Sequence, residues 1–314
     1  MNDFMTRREM LLNQNNLNKF SRLDLIVRKM FLDSLNTPQY QLHRRLYIKM
    51  QINRTGYKVH TNRLPWVEQF LILDRSFYKK GYLNEFPLVV NSDKHLINSS
   101  HRASLCLHHK IDKIPFLICE NWQNHVVRDD PKIKTYFDYG EEWFLRSGFF
   151  RDELQLIQEK KYELFEDLNM FFYFILWPPS ELFFHEIVSD IRKEYRIISN
   201  KKMKIDDLDG FIKDIYTIDN ISEQKLNKKI HHINASSTNR NIMVLKVDLF
   251  GTKFRRKTNF PNVLVSIEAE NIKNKIRKKY KNKIKNYFHD IIIHSSDNYK
   301  HVDHIKKIFK NVQD

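Results

Sequence analysis

The sequence predicts a mixed α/β protein built from two parts. Residues 88–120 alternate a short apolar strand, a polar corner, a helix and a second apolar strand. Residues 169–199 follow a strand–turn–helix–strand order, which is typical of α/β sheets. The chain has 314 residues, 41% of them hydrophobic, which is enough material for two cores.

Residues 1–45 are predicted to form an N-terminal helical segment. Apolar residues between positions 3 and 35 recur at mixed three- and four-residue spacing, and Thr37-Pro38 ends the pattern. Leu46–Ile52 then alternates apolar and polar residues, which favours a strand. A second domain is therefore predicted from residue 46 to residue 120.

This second domain contains the most informative stretch of the chain. The strand Leu88–Val90 leads to a corner of small polar residues, Asn98-Ser99-Ser100, and His101-Arg102 then opens a helix. Amide groups at a helix N-terminus attract anions, and an Arg beside them can bind phosphate with two hydrogen bonds. We predict that residues 98–102 bind a phosphate-bearing cofactor; the alternative is an ordinary strand–turn–helix in which His-Arg caps a neighbour.

The order of helix, strand, Asn98–Ala103 box, helix and strand over residues 64–120 resembles the ParB/sulfiredoxin-like superfamily. In that family the box cradles nucleotide phosphates: ATP in sulfiredoxins, CTP in ParB, and ADP or ATP in a serine-kinase branch. The resemblance implies a mixed α+β nucleotide-binding domain with ATP or another nucleoside phosphate as its cofactor. Glu120, at the end of the last strand, is a candidate catalytic residue that would face the nucleotide pocket, the alternative being a solvated surface charge.

Three positions of the box, and Leu105 just after it, depart from the family pattern. Asn98 stands where the family often has Asp, Ser99 replaces its Gly, and Leu105 replaces its Ala. Ser100 occupies the position of the nucleophilic Cys of sulfiredoxins, which argues against sulfinic-acid reduction.

A polar, aromatic-rich bridge is predicted for residues 121–168, followed by a basic α/β domain over residues 169–314. The bridge contains turn signals at Asp130-Pro131 and a helix over Asp152–Phe165. Phe171–Leu176 is wholly apolar, as expected of a strand that is buried on both faces of a parallel sheet. We therefore predict a Rossmann-like, doubly wound sheet, with its sites at the carboxyl ends of the strands.

Further elements of this domain follow from periodicity and turn residues. They are the helices Glu181–Tyr195, Leu208–Tyr216, Ser266–Phe288 and Tyr299–Phe309, and the strands Arg196–Ser199, Asn241–Phe250 and Asp290–His294.

Candidate catalytic and substrate-binding residues lie at the predicted strand ends of the basic domain. His294 is a candidate for acid–base chemistry and Asp297 for holding Mg²⁺ that bridges phosphates, the alternative being a helix cap beside solvent-facing histidines. Ser180 would bind substrate at the helix that follows Trp177-Pro178-Pro179, unless it is only a cap. His301 and His304 share a helix face, but no metal ligands are predicted there.

Positive charge is concentrated near the C-terminus of this sequence. The net charge is +16, and residues 251–314 contain 16 Lys or Arg against 6 Asp or Glu, a surplus of 10. Arg255 and Arg256 are candidates for clamping a phosphorylated substrate, the alternative being a solvated surface charge. The pattern of Lys273–Lys285 indicates a basic helix that is solvated or, alternatively, attracted to an anionic membrane or substrate. The high content of Lys, Asn and Ile also fits an AT-rich genome. The positive charge alone therefore does not predict DNA binding.

The leading functional hypothesis is a nucleotide-binding kinase or phosphotransferase that acts on a phosphate-bearing or sugar substrate, in the setting of surface-polysaccharide synthesis. One alternative is a ParB-like nucleic-acid-binding protein or nuclease, although no helix-turn-helix follows the box. Another is a non-catalytic nucleotide-binding partner protein. Two cysteines, no apolar leader and no apolar run near the ~20 residues of a membrane helix favour the cytoplasm.

Overall fold

In a computed structural model the chain divides into two compact units, Met1–Leu168 and Asn169–Asp314. The predicted segments 1–45, 46–120 and 121–168 all belong to the first unit. The structure describes residues 3–16, 19–20, 22–55, 65–92, 94–120, 139–219, 221–236, 239–249, 252–257, 260–288 and 290–311. The turn predicted at Asp130-Pro131, the first 18 residues of the bridge (121–138) and the end of the strand at Phe250 lie outside these residues.

The first unit contains a three-stranded sheet in the order β1-β5-β4. Strand β5 (Ile114–Ile118) lies between β4 (Leu88–Val90), which runs parallel to it, and β1 (Asp3–Met5), which runs antiparallel. Two further short strands, β2 (Asn15–Asn16) and β3 (Lys19–Phe20), form a separate antiparallel pair. The parallel β4–β5 pair brackets the box, so it fixes where the box helix begins.

Seven helices of the first unit are described: Arg7–Leu12, Leu23–Asp33, Tyr40–Thr55, Trp66–Lys80, Ser100–His108, Glu141–Arg146 and Arg151–Asp167. Nine of the eleven residues of the Leu23–Asp33 helix are buried, and this helix packs against the neighbouring Tyr40–Thr55, Ser100–His108 and Arg151–Asp167 helices. It is therefore the centre of the unit, and two of its charged residues, Asp24 and Arg28, are buried in the interior.

Two predictions for the first unit are wrong. Leu46–Ile52 is not a strand but part of the Tyr40–Thr55 helix, because its buried residues Leu46, Tyr47 and Met50 follow helical spacing and the apolar alternation is coincidental. The continuous helical segment predicted for residues 3–35 is interrupted by three short strands. Their two or three residues are too few to show a period of two.

The second unit is built on a four-stranded sheet in the order β11-β6-β8-β7. These strands are β6 (Phe172–Leu176), β7 (Arg196–Lys204), β8 (Asn241–Asp248) and β11 (Ile293–Ser295), and every described pair is antiparallel. The predicted parallel, Rossmann-like arrangement is thus corrected. Strand β6 is buried along its whole length because it is an interior strand, a property that parallel and antiparallel sheets share.

The remaining described elements of the second unit are two 3₁₀ turns, five helices and a hairpin. The 3₁₀ turns are Pro178–Phe183 and Lys281–Lys283, and the helices are Phe184–Arg192, Leu208–Tyr216, Glu223–Ser236, Ile267–Tyr280 and Tyr299–Asn311. The hairpin consists of the antiparallel strands β9 (Phe254–Lys257) and β10 (Phe260–Ser266). The basic helix ends at Tyr280, earlier than the predicted Phe288. Side chains from the sheet and its helices form one apolar core.

Both units combine helices and strands, so the predicted mixed α/β class is confirmed. None of the described helices combines the length and apolar character needed to cross a membrane.

Candidate functional site

A cavity of about 450 Å³ lies in front of the box in the first unit. Its described lining comes from three helices and from the segment after Gly81: Arg54, Leu73, Ser76, Phe77, Gly81, Tyr82, Leu83, Phe86, Asn98, Ser99, Ser100, His101 and Arg102. All five predicted cofactor-binding residues belong to this lining. Two of the lining residues are arginines, and no Asp or Glu is among those described.

The corner of the box has a strained backbone at Ser99. This residue is the N-cap of the Ser100–His108 helix. Its φ of 77° and ψ of 25° lie in the left-handed region, which residues other than glycine rarely adopt. The Asn98 side-chain oxygen accepts a hydrogen bond of 2.6 Å from the Ser99 amide. Within the described part of the chain, the amides of Ser100, His101 and Arg102 have no acceptor, as is usual for a first helical turn.

Arg102 joins the box to the segment that precedes β4. Its guanidinium donates to the carbonyl oxygens of Phe86 and Pro87, the latter at 3.0 Å, and to the Ser99 hydroxyl at 2.5 Å. None of the described carboxylates lies within ion-pair distance of Arg102. Its positive charge is therefore held at the cavity wall by neutral acceptors, which leaves that charge available to an anion.

Ser100 is tied to a buried charge network behind the cavity. Arg22 donates to the Ser100 hydroxyl at 2.6 Å and forms a two-point ion pair with Asp24, with distances of 2.8 and 3.1 Å. Arg28 contacts the same carboxylate at 2.7 Å and donates to the Gln51 side chain at 3.0 Å. One carboxylate thus serves two buried guanidinium groups.

The pKa values of this network follow from burial and charge. Burial by itself raises the pKa of Asp24, but Arg22 and Arg28 outweigh it and hold that pKa far below its usual range. Burial, with the nearby charge of Arg54, lowers the pKa of Arg28 to about 10. With two guanidinium groups and one carboxylate, the network has a positive surplus.

His101 turns one ring nitrogen toward the interior. Its Nε2 lies 3.0 Å from the Tyr47 hydroxyl and 3.2 Å from the Gln51 amide nitrogen, and its ring packs edge-on against Phe70. Burial lowers the pKa of His101 well below its ordinary value, and the charges of Arg28 and Arg54 lower it further. His101 is therefore a neutral hydrogen-bonding group that connects the cavity wall to the buried network.

Arg54 was not singled out by the sequence, yet it lines the cavity. Its guanidinium donates to Gln51 at 3.3 Å and lies over the ring of Tyr139, 4.8 Å from the centroid. Arg54 follows Leu46–Ile52, which was predicted as a strand but is helical. The strand prediction gave no reason to place Arg54 at the cavity. A helical assignment would have placed it one turn from Gln51 and Met50.

His294 and Asp297, the predicted catalytic pair, belong to the second unit and are both buried. The His294 ring packs edge-on against Tyr216, and burial, with nearby Lys273 and Lys229, lowers its pKa well below the ordinary value. The carboxylate of Asp297 lies 3.1 Å from Nδ1 of His301. Neither residue is a solvent-facing group of a loop.

His301, noted beside this pair, bridges two carboxylates, since its Nε2 lies 3.2 Å from Asp219. Nε2 of His304 lies 2.6 Å from the carbonyl oxygen of Asp214 instead.

The predicted substrate-binding residues have other contacts. Ser180 is fully buried, and its hydroxyl lies 2.8 Å from the carbonyl oxygen of Trp177 and 3.2 Å from that of Ile292. These contacts indicate a structural role for Ser180. Arg255 is exposed and ion-paired with Glu270 at 2.7 Å, and Arg256 is exposed beside it on β9. Glu120 is exposed after β5 and is not part of the described cavity lining.

Comparison with known proteins yields little for this chain. No family model matches it, and no curated protein matches it. A solved structure of the nucleoside-diphosphate kinase from Borrelia burgdorferi, a transition state mimic with bound vanadate and ADP, is similar at a TM-score of 0.30 and 15% identity. That similarity covers 44% of this chain and 85% of the kinase chain, and it is too weak to carry an argument.

Proposed function

We propose that the cavity in front of the box binds a nucleoside phosphate. The observation that carries this proposal is the charge of its wall: Arg54 and Arg102 border a cavity of about 450 Å³ whose described lining contains no carboxylate. Small-molecule sites of this size are mostly apolar, with a few polar groups that converge on the ligand. Here the polar groups are cationic or hydrogen-bonding, which selects an anion.

The phosphates would occupy the side of the cavity formed by the box. There the first-turn amides of the Ser100–His108 helix and the Arg102 guanidinium supply hydrogen-bond donors. A unit negative charge about 4 Å from one guanidinium gains roughly 4 kcal/mol at a typical protein dielectric, before desolvation. The surplus charge behind Ser100 adds to this attraction.

The base would lie against the apolar side of the cavity. Phe77, Tyr82 and Phe86 contribute aromatic surface, and Leu73 and Leu83 complete that wall. Stacking on aromatic rings tolerates every base, so this wall favours nucleotides as a class over one of them.

The resemblance to the ParB/sulfiredoxin-like superfamily supports the same proposal. The family carries Gly where this chain has Ser99, and the left-handed φ of 77° at Ser99 is the conformation in which Gly is favoured. In this chain a serine has that conformation. A strained backbone beside a cavity is often retained for function.

The finer proposal is a kinase or phosphotransferase with His294 and Asp297 as its candidate catalytic residues. His294, neutral and buried, would exchange a proton, and Asp297 would hold Mg²⁺, because carboxylate oxygens are ligands that Mg²⁺ prefers. His294→Gln and Asp297→Asn are expected to abolish transfer to a sugar or phosphorylated acceptor while nucleotide binding persists. Binding without transfer to any acceptor would leave a nucleotide-binding partner protein instead.

Thermal unfolding with ATP, ADP, CTP and GTP tests the binding proposal. A nucleotide at 100 times its Kd stabilises the folded state by about 2.7 kcal/mol, which raises the Tm measurably. Ser76→Asp places a negative charge in the cavity wall and should abolish the rise, whereas Ser76→Asn, its neutral match, should keep it. Arg102→Ala should behave like Ser76→Asp.

Arg146→Ala provides the control for loss of a positive charge from the same unit, because the Arg146 side chain is 82% exposed. It should leave the Tm rise intact. The proposal fails if no nucleotide raises the Tm, or if the rise survives in both Ser76→Asp and Arg102→Ala.

A further inference from the structure

Asp74, His108 and His109 form a cluster of three potential metal ligands, none of which belongs to the described cavity lining. One ligand atom from each residue lies within 4.8 Å of the corresponding atoms of the other two. Asp74 belongs to the Trp66–Lys80 helix, His108 is the last residue of the Ser100–His108 helix, and His109 is its C-cap. The cluster thus joins two elements that the packing of the unit already holds in place.

A fourth residue orients one of these ligands. Nδ1 of His108 lies 2.7 Å from the carboxylate of Asp33. With Nδ1 engaged by Asp33, Nε2 is the nitrogen of His108 that remains for a metal. Histidines that bind metals almost always have their other nitrogen hydrogen-bonded to a carboxylate, a carbonyl or water, which fixes the ring orientation and raises the basicity of the ligand.

His109 is oriented by ring packing and by its contact with Asp74. Its ring stacks on Phe77 with centroids 6.2 Å apart and an interplanar angle of 25°, and its Nε2 lies 2.8 Å from Asp74. The side chains of Asp74 and His109 are 15% and 18% exposed, and that of His108 is 24% exposed. The cluster is therefore ordered by packing, yet an ion can reach it from solvent.

We propose that Asp74, His108 and His109 bind a divalent transition metal of the Zn²⁺ class. Two imidazoles and a carboxylate are a donor set that suits Zn²⁺, Co²⁺ and Ni²⁺ and disfavours Mg²⁺ and Ca²⁺. Three protein ligands leave at least one coordination position open to water or a ligand. This proposal does not depend on nucleotide binding in the cavity.

Titration of the purified full chain with Co²⁺ tests the site, because bound Co²⁺ gives a visible absorption band that reports its ligand geometry. We expect one Co²⁺ per chain, displaced by Zn²⁺ but not by Mg²⁺. Asp74→Asn keeps an oxygen that accepts from His109, so the fold should persist while the affinity falls at least tenfold. His108→Gln is the second variant, and circular dichroism verifies that both are folded.

Asp33→Asn separates an oriented site from a chance cluster. It leaves all three ligands in place but removes the carboxylate on His108, so the affinity should fall by about 10- to 100-fold. The matched control is the other pair of adjacent histidines, His231 and His232, whose rings are 5.6 Å apart on the Glu223–Ser236 helix. Replacing both with Ala should leave Co²⁺ binding unchanged.

Two results would overturn the metal site. One is binding of less than one Co²⁺ per chain at saturating metal. The other is Co²⁺ affinity that is unchanged in Asp74→Asn and His108→Gln, whether or not it is lost in the His231→Ala, His232→Ala double variant.

Discussion

The two units each bury cationic side chains, but they compensate the charge differently. In the first unit, Arg22 and Arg28 share the carboxylate of Asp24 at 2.8 and 2.7 Å. In the second, Lys229 is 3% exposed, and the described hydrogen bond of its amine is to the hydroxyl of Tyr216 at 2.9 Å. In the first arrangement a carboxylate contacts both guanidinium groups, whereas in the second the described contacts of the ammonium group are the hydroxyl and the ring of Tyr216. Removing a charge should therefore have opposite effects in the two units.

Asp24→Asn should have the largest effect, a loss of about 3–5 kcal/mol in the free energy of unfolding. The reason is that two buried guanidinium groups would lose their counter-ion. Chemical denaturation followed by circular dichroism measures it. Glu142→Gln, which alters an exposed pair with Arg146, is the control and should change stability by less than about 0.5 kcal/mol. Equal effects of the two variants would show that the Asp24 network contributes nothing special.

Lys229→Met should instead stabilise the second unit by about 2 kcal/mol at pH 7. Burial lowers the pKa of Lys229 from 10.5 to about 8, a difference that corresponds to about 3 kcal/mol, and loss of the Tyr216 hydrogen bond offsets about 1 kcal/mol. Since the unfolded chain binds this proton more tightly, wild-type stability should rise between pH 8 and 10.5.

This rise should be smaller in Lys229→Met, which provides the check on its cause. Denaturation midpoints at pH 7, 8, 9 and 10 measure both slopes. Destabilisation of the variant at pH 7 would mean that the ammonium group is compensated after all.

The sequence predicted some of these regions and not others, for physical reasons. Strand β6 and the box were predictable because an unbroken apolar run and a small-residue corner are local signals. Antiparallel pairing of β6 was not, since burial on both faces is common to both pairings. The Asp24 network was missed because Arg22, Asp24 and Arg28 are charged residues of the kind usually found on the surface, and only the packing of their helix against three others buries them.

His101 and His294 sharpen the comparison between the units, because desolvation lowers the pKa of both and keeps both neutral, but only His101 has described hydrogen-bond partners for its Nε2. His101→Leu would leave Tyr47 and Gln51 without this partner and should destabilise by roughly 1 to 2 kcal/mol. His294→Leu removes a nitrogen that has no partner in the described part of the chain, so the loss should stay below about 1 kcal/mol. Denaturation at pH 7.5 compares the two variants, and a larger loss for His294→Leu would contradict this ranking.

Acid provides an independent check on both histidines. Their pKa values in the folded protein lie well below 6.5, so the neutral rings contribute fully above pH 6.5 and their contribution is lost as the pH falls below it. Each Leu variant should therefore lose less stability than the wild type between pH 6.5 and 5. A slope unchanged by both substitutions would show that neither histidine is held neutral by the fold.

Ser99→Gly should have the smallest effect on stability and the most informative one on the cavity. Glycine relieves the left-handed backbone at φ 77°, a gain of roughly 1–2 kcal/mol, but it loses the hydroxyl that accepts from Arg102 and adds backbone entropy to the unfolded chain. The net gain should be about 0.5 kcal/mol. Arg102, released from Ser99, becomes freer to contact a phosphate, so the nucleotide-induced rise in Tm should grow. A smaller rise would mean that the Ser99 hydroxyl orients Arg102 for the ligand, and that serine at this position is an adaptation of the cavity and not a defect in it.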